Sequence, residues 1–250
     1  MEKNALSVII PCFNEGRTIL ANISHISAYL ANNFPSYEIV AINDGSFDNT
    51  LPQLESAAQR MPLRIINLPE NCGKGCAVKE GMLAAQGELL LFLDADLAIP
   101  IEETPQFTAA ISQGNDLVIA SRFVPGLKVT KPVALHRKLM EHVFRWLRIL
   151  IIDTRKVRDT QCGFKMFTRK AAREIFPLLT VKRFAFDSEI IFLASRKGFA
   201  IKELPVTLQN PRESHVRLLR DPFNMTLDLL RIRFNHLRGH YRTKEKNIWK

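Results

Sequence analysis

The chain opens as an alternation of short apolar runs and segments of helical periodicity. Residues 6–10, 37–42, 63–67 and 89–93 read as strands. The last of these, Leu-Leu-Leu-Phe-Leu, is apolar throughout, as a strand covered on both faces must be. Between them, residues 18–30 place Ile19, Ile23, Ile26 and Leu30 on one helical face, and 50–59 and 75–85 also read as helices. Strands alternating with helices of about ten residues predict βαβ units, a parallel sheet and an α/β fold. A helix over 107–113 and a strand over 116–120 continue the pattern. The second half is less regular: helices over 133–152, 170–176 and 187–196, then a strand over 204–208. Asp221-Pro222 starts a last helix, with proline in its first turn. It runs to about residue 237, with Phe223, Leu227, Leu230, Phe234 and Leu237 on one stripe and Arg231, Arg233 and Arg238 beside it. That is the pattern of a basic amphipathic helix.

Polar clusters follow the first four strands. They are Pro11-Cys12-Phe13-Asn14-Glu15, Asn43-Asp44-Gly45-Ser46, Asn71-Cys72-Gly73-Lys74-Gly75 and Asp94-Ala95-Asp96. Open parallel sheets bind ligands at the carboxyl ends of their strands. An aromatic beside a carboxylate, Phe13 with Glu15, suits a nucleoside. Asp44 can accept from the imide N–H of uracil. Glycines and a lysine before a helix suit a phosphate. Asp94 and Asp96 are expected to diverge, one toward a divalent metal and one toward another part of the same ligand; hard cations take such oxygen ligands. Each cluster alone also reads as an ordinary loop, and their convergence on one rim is what points to a site.

Charge divides the chain. Residues 1–121 hold 6 Lys+Arg against 14 Asp+Glu, and residues 122–250 hold 29 against 11, within a net charge of +10. A basic half points to an anionic partner: nucleic acid, a phosphorylated substrate or an anionic membrane surface. No apolar run approaches the ~20 residues of a membrane span, and no signal peptide is visible. The four cysteines lack metal-ligand spacing, and Cys72 and Cys76 at i, i+4 are expected to be free thiols of a cytosolic protein.

The ordered set Ser7-Val-Ile-Ile-Pro-Cys-Phe-Asn-Glu15, Asn43-Asp-Gly-Ser46, Asn71-x-Gly-Lys-Gly75 and Asp94-Ala-Asp96 resembles the family 2 glycosyltransferases of the GT-A fold. The segments Arg158–Lys165, Arg183–Glu189 and Glu213-Ser214-His215 narrow the resemblance to the dolichyl-phosphate β-glucosyltransferase branch. It implies a mostly parallel sheet flanked by helices, with a nucleotide-sugar half at 1–121 and an acceptor half at 122–215. A basic helix and tail at 216–250 would lie on a membrane surface. It implies an inverting transfer from a UDP-sugar, glucose favoured, to a dolichyl or undecaprenyl monophosphate, assisted by Mg²⁺ or Mn²⁺. Position by position, Pro11, Phe13, Glu15, Asp44, Lys74, Asp94 and Ala95 would hold the nucleotide sugar, and Asp94 and Asp96 the metal. Arg122, Arg137, Lys165 and Ser214 would hold the acceptor phosphate. Asp96 would act through the metal, and Asp159 or Asp187 would serve if a base operates. Two departures stand out: Asn43 replaces the family's usual first aspartate, and Leu97-Ala98 offer no third side-chain metal ligand. The protein is expected at the cytoplasmic face of a membrane, held peripherally or through a membrane-protein partner, and not on nucleic acid. A transferase with a polysaccharide or protein acceptor, and a non-enzymatic nucleotide-sugar-binding protein, remain the alternatives.

Overall fold

A computed structural model describes residues 5–129, 135–209 and 220–241. Nine strands are assigned among them: β1 (Leu6–Cys12), β2 (Tyr37–Asp44), β3 (Leu63–Leu68), β4 (Leu89–Leu93), β5 (Leu117–Ala120), β6 (Lys128–Val129), β7 (Phe164–Thr168), β8 (Ile201–Leu204) and β9 (Thr207–Leu208). The helices are α1 (Ile19–Asn33), α2 (Thr50–Ala58), α3 (Lys74–Ala84), α4 (Thr104–Ser112), α5 (Leu135–Ile152), α6 (Arg169–Ile175), α7 (Phe186–Arg196) and α8 (Arg220–Leu237). Seven strands form one sheet in the order β3-β2-β1-β4-β7-β5-β8, and β6 pairs with β9 apart from it. All pairs in the large sheet are parallel except those of β7, which runs antiparallel to both β4 and β5. The α/β architecture is therefore the expected one.

The apolar strands bury both faces. Ile9 and Phe92 face one core layer with α3, α6, α7 and part of α8, while Val8, Ile10, Leu91 and Leu93 face the other with α1, α2 and α4. This alternation at period two is why β4 carries no polar residue.

Several elements differ from the sequence reading; α4 begins at Thr104 rather than 107, and β6 was not foreseen. β7 was not foreseen, because Lys165 interrupts its apolar pattern; that lysine is fully buried against Asp187. The strand expected over 204–208 is two strands, β8 and β9, separated at Pro205, which has no N–H to give a ladder. The helix of 187–196 begins one residue earlier, at Phe186.

The free-thiol expectation is also corrected. Cys72 and Cys76 are joined by a disulfide, with Cα atoms 5.8 Å apart, inside the range a bridge needs. Cys72 lies before α3 rather than within it. The chain bends at Gly73, whose φ is 98°, and this turns Cys72 back toward the first helical turn. A Cβ on Gly73 would also meet the Lys182 carbonyl oxygen at 2.6 Å. Cys12 and Cys162 are free and buried.

The long helices α5 and α8 pack on one another. Arg148 of α5 is no solvated cation. It is 1% exposed and donates to the carbonyls of Thr154, Val157 and Arg158, stapling the turn that follows the helix. α8 buries Leu229 and Ile232, while its stripe Phe223, Leu227, Leu230, Phe234 and Leu237 is exposed.

Candidate active site

The loops after β1 and β2 are stitched together. Asn14, held at φ 56°, accepts from the Phe47 amide through Oδ1 and donates its own N–H to Ser46 Oγ. Glu15 N–H donates to Thr50 Oγ1 at 2.7 Å. The stitching sets Phe13 edge-on to Phe47, with ring centroids 6.0 Å apart. Phe13 is 37% and Phe47 85% exposed, so both rings are available to a base. Phe47 was missed in the sequence; the signal was an aromatic directly after the Asn-Asp-Gly-Ser turn. Pro11 is the last residue but one of β1, opposite Ile42, beyond the last pairing of β1 with β4 at Ile9.

Asp44 is buried, and its two carboxylate oxygens accept from the amides of Cys72 and Gly73 at 2.8 and 3.0 Å. It thus holds the glycine-lysine loop against the end of β2. Burial pushes its carboxyl up, against the pull of the two amides. Asn43 makes sense of its own departure. Its amide donates to Asn67 Oδ1 across the β2–β3 register at 2.7 Å, and its Oδ1 accepts from the Ser46 amide. A carboxylate could do only the second.

The acidic pair sits where β4 ends. The chain turns there, with Leu97 at φ 52° and its N–H bonded to the Asp94 carbonyl. Asn22 of α1 donates to the Ala95 carbonyl at 2.7 Å and pins the turn. The two aspartates meet different partners. Asp96 accepts from the Ala98 amide, while Asp94 Oδ1 lies 2.6 Å from Lys74 Nζ. Asp94 Oδ1 is thus held by a charge-assisted ion pair with the Lys74 ammonium. Burial alone would push the Lys74 ammonium down, but the charges of Asp94 and Asp187 outweigh it and hold it up. Behind them lies a second pair: Lys165 Nζ is 2.5 Å from Asp187 Oδ1 and from the Cys162 carbonyl oxygen, with no solvent exposure at the lysine. Both ammoniums lie over the Phe92 ring, at 5.5 and 5.4 Å. Burial pushes the Asp187 carboxyl up, with Lys165 opposing it.

Arg122, just past β5, is gripped on three sides. Its Nε and Nη2 form a fork to the two oxygens of Asp159 at 2.7 and 3.0 Å, its Nη1 reaches Glu141 of α5 at 2.7 Å, and its backbone N–H also donates to Asp159. Burial pushes the Asp159 carboxyl up, but the adjacent Arg122 charge and hydrogen bonds overcome it and hold it below the usual range. The 159–165 segment joins the two clusters. Asp159 starts it, Lys165 ends it, and Gly163 lies against Asp94: a Cβ there would meet Asp94 Oδ2 at 1.9 Å. Sequence reading missed Gly163 and Glu141, whose parts depend on contacts distant in the chain. Arg137 belongs to α5 but its side chain lies outside the described residues, as does Ser214.

The profile of Glycosyl transferase family 2 matches residues 7–176. The chain belongs to that family. It is a glycosyltransferase with a GT-A-like fold. Among relatives, it is 34% identical over 255 residues to the dolichyl-phosphate beta-glucosyltransferase of Dictyostelium discoideum, covering 96% of this chain and 77% of the relative. The Saccharomyces cerevisiae protein of that name is 34% identical over 270 residues, covering 98% and 79%, and the Homo sapiens one 30% over 254 residues, covering 96% and 78%. Two solved structures share the fold. Glucosyl-3-phosphoglycerate synthase from Mycobacterium tuberculosis, in complex with Mn²⁺, UDP and glucosyl-3-phosphoglycerate, has TM-score 0.60 at 18% identity and covers 92% of this chain and 78% of its own. Mannosyl-3-phosphoglycerate synthase from Rubrobacter xylanophilus has TM-score 0.62 at 20% identity, covering 97% and 77%.

Proposed function

We propose that this chain transfers glucose from UDP-glucose to a polyprenyl monophosphate of the dolichyl type, with inversion and with a divalent cation, Mg²⁺ or Mn²⁺. The observation that carries the reading is the adjacency of the two charged clusters. An acidic rim at Asp94 and Asp96 adjoins an arginine cluster at Arg122 through the 159–165 segment, in a chain 34% identical to dolichyl-phosphate beta-glucosyltransferases.

The residues fit a hard cation. Asp94 and Asp96, at the end of β4, supply two carboxylates, the oxygen donors such a cation takes. Among the described residues no group of three or more His, Cys, Asp or Glu converges. Two carboxylates would leave the remaining positions to water and the donor diphosphate, the way Mg²⁺ is commonly held. When bound, the cation supplies charge neutralisation to the departing diphosphate.

The chain's own residues do the rest. Phe13 stacks on the base, Phe47 stands perpendicular to it at the edge of the pocket, and Pro11, Glu15 and Asp44 shape the rest. Lys74 stands between Asp94 and the helix N-terminus, where it can pass to a phosphate oxygen. Arg122 meets the acceptor phosphate with Arg137 and Ser214. That phosphate is already largely dianionic at neutral pH, its second pKa being ~6. Its oxygen attacks the anomeric carbon as the bond to UDP breaks, and no proton has to move. Asp159 and Asp187 therefore work by position: one aims Arg122, the other holds Lys165 under Lys74. Arg122, with its fork closed on Asp159 and Nη1 bonded to Glu141, offers its remaining Nη N–H groups to orient such an acceptor, and Arg137 adds charge screening. In this reading residues 1–121 serve the donor, 122–215 the acceptor and 216–250 the membrane. No described helix is long and apolar enough to cross a membrane.

The test is a panel of UDP- and GDP-sugars offered with polyprenyl phosphate and Mg²⁺ or Mn²⁺, with the lipid product identified by mass. A glucosylated lipid phosphate from UDP-glucose is expected. Transfer only to hydroxyl acceptors, or only from GDP-mannose, would refute the assignment.

A further inference from the structure

Residues 177–183, between α6 and α7, are held from two sides. Their carbonyls face α3, the helix that carries Lys74. Cys76 N–H donates to the Lys182 carbonyl at 3.1 Å, and Lys79 Nζ donates to the carbonyls of Pro177 and Leu179 at 3.3 and 2.9 Å. Both glycines flanking Lys74 press on the same row: a Cβ on Gly73 would meet the Lys182 oxygen at 2.6 Å, and one on Gly75 the Val181 oxygen at 2.7 Å. The amides of the segment face Glu189 of α7 instead. The Thr180 amide reaches both carboxylate oxygens, at 3.1 and 3.0 Å, and the Val181 amide reaches Oε2 at 2.8 Å. The Thr180 hydroxyl donates to Oε1 at 2.7 Å. Glu189 has no solvent exposure, and a carboxylate so deprived of water needs such donors. The C-terminal helix closes the cluster. Tyr241, just past α8, donates its hydroxyl to Glu189 Oε1 at 2.5 Å, and Asn235 of α8 donates to Thr180 Oγ1 at 3.0 Å. Burial and the Glu189 charge push the Tyr241 phenol up, which keeps it a donor.

We propose that Glu189 is a positioning residue for the sugar-nucleotide donor: through residues 177–183 it sets the Gly73-Lys74-Gly75 loop, and α8 tunes that setting through Asn235 and Tyr241. The proposal rests on the reading of a UDP-sugar donor and says what keeps the donor loop in place. Gly73 and Gly75 have no side chains with which to fix the loop themselves. It is anchored instead at its two ends. Asp44 takes the amides of Cys72 and Gly73, the 177–183 segment takes the amide of Cys76, and the disulfide joins the two anchors. Lys74 lies between them, its ammonium 2.6 Å from Asp94. The 177–183 segment belongs to no strand, and its amides at 180 and 181 are taken up by Glu189. Glutamine there would offer one acceptor oxygen where glutamate offers two, and would turn an N–H toward an N–H. The segment would shift, and Cys76 and Lys74 with it. Lys74 meets the donor in the ground state and the transition state alike. The signature is therefore a raised KM for UDP-glucose with kcat little changed.

The experiment compares the wild type, Glu189→Gln, the double variant Asn235→Ala with Tyr241→Phe, and a destabilised control, Ile26→Val, in the other core layer. Calorimetric titration reads UDP affinity in Mn²⁺, glucosylation of a short-chain polyprenyl phosphate reads KM and kcat, and a thermal melt reads stability. Glu189→Gln should weaken UDP binding and raise the KM for UDP-glucose toward the upper end of about 2- to 30-fold, and the double variant toward the lower end. The KM for the acceptor should keep its wild-type value. Ile26→Val should lower the midpoint and leave both donor readouts unchanged. Should Glu189→Gln fail to fold, Thr180→Val, which removes only the hydroxyl's bonds, takes its place with an effect at the lower end. Wild-type UDP affinity in Glu189→Gln, or an equal loss in Ile26→Val, would overturn the proposal. Wild-type affinity in the double variant would overturn the part given to α8. UDP binding weakened as expected, in proteins none of which glucosylates the lipid phosphate, would support the positioning role and count against the proposed reaction instead.

Discussion

Gly163→Ala isolates the contact that sets the acidic rim. Gly163 is not among the glycines with positive φ, so the cost of alanine there is steric. Its Cβ would stand 1.9 Å from Asp94 Oδ2 and 2.2 Å from Cγ, far inside the ~3.5–4.0 Å optimum for nonbonded heavy atoms. The backbones cannot part easily, because Asp94 N–H is bonded to the Gly163 carbonyl at 3.0 Å. The carboxylate must therefore swing away from Lys74. That ion pair is partly exposed, at 26% and 34%, so its loss costs at most about 1 kcal/mol. Overpacking adds about 1–3 kcal/mol. Together these come to about 1–4 kcal/mol, and at ~2–4 °C per kcal/mol for a domain of this size the thermal midpoint should fall by roughly 2–16 °C. Donor binding should suffer much more. Changes merely one sphere removed from a metal cost about 10–100-fold in affinity. Displacing a ligand should therefore weaken UDP binding in Mn²⁺ by at least about 100-fold, or ~2.7 kcal/mol. Calorimetric titration and a thermal melt read the two effects separately. Asp94→Asn, nearly equal in volume, should lose the affinity while keeping the midpoint. Wild-type UDP affinity in both variants would refute the placement of Asp94.

Asp96→Asn should reduce turnover to near background with the midpoint unchanged, because it removes a rim charge rather than a core group; full activity in excess chelator would defeat the metal role. Asp187→Asn leaves the fully buried Lys165 ammonium without its carboxylate and should destabilise by about 3–5 kcal/mol, read by denaturant unfolding; a loss below ~1 kcal/mol would show that the pair is not buried as described. The Asp159 carboxyl is held below its unfolded value of ~3.9, so its stabilisation is present above that pH and disappears as pH falls through the folded pKa. Wild-type stability should drop on the acid side of pH ~4, and Asp159→Asn should be less stable at pH 7 with a shallower acid limb; parallel limbs would sink the account.

The sequence by itself determined a good deal. Period-two and period-3.6 patterns placed β1 to β4 and the helices between them, because a strand buried on both faces, or a helix buried on one, writes its burial into neighbouring residues. The polar clusters after those strands were legible for the same reason: in a parallel sheet, the residue after an apolar run lies at the rim. The acidic and basic halves were legible as plain charge. Tertiary structure decided the rest. β7 was hidden because Lys165, in the middle of a strand, is tolerable only beside Asp187, 22 residues away. Asp159 could be read as a base until the fold set it against Arg122, 37 residues earlier. Glycine at 163 carries no pattern of its own; its meaning is the Asp94 carboxylate it leaves room for. Periodicity also found the stripe on α8 but not its direction. The helix has apolar residues on both sides, and only docking through Leu229 and Ile232 turned Phe223, Leu227, Leu230, Phe234 and Leu237 outward. Local periodicity reports that a face is apolar; which apolar face meets the core depends on what the rest of the chain brings to it.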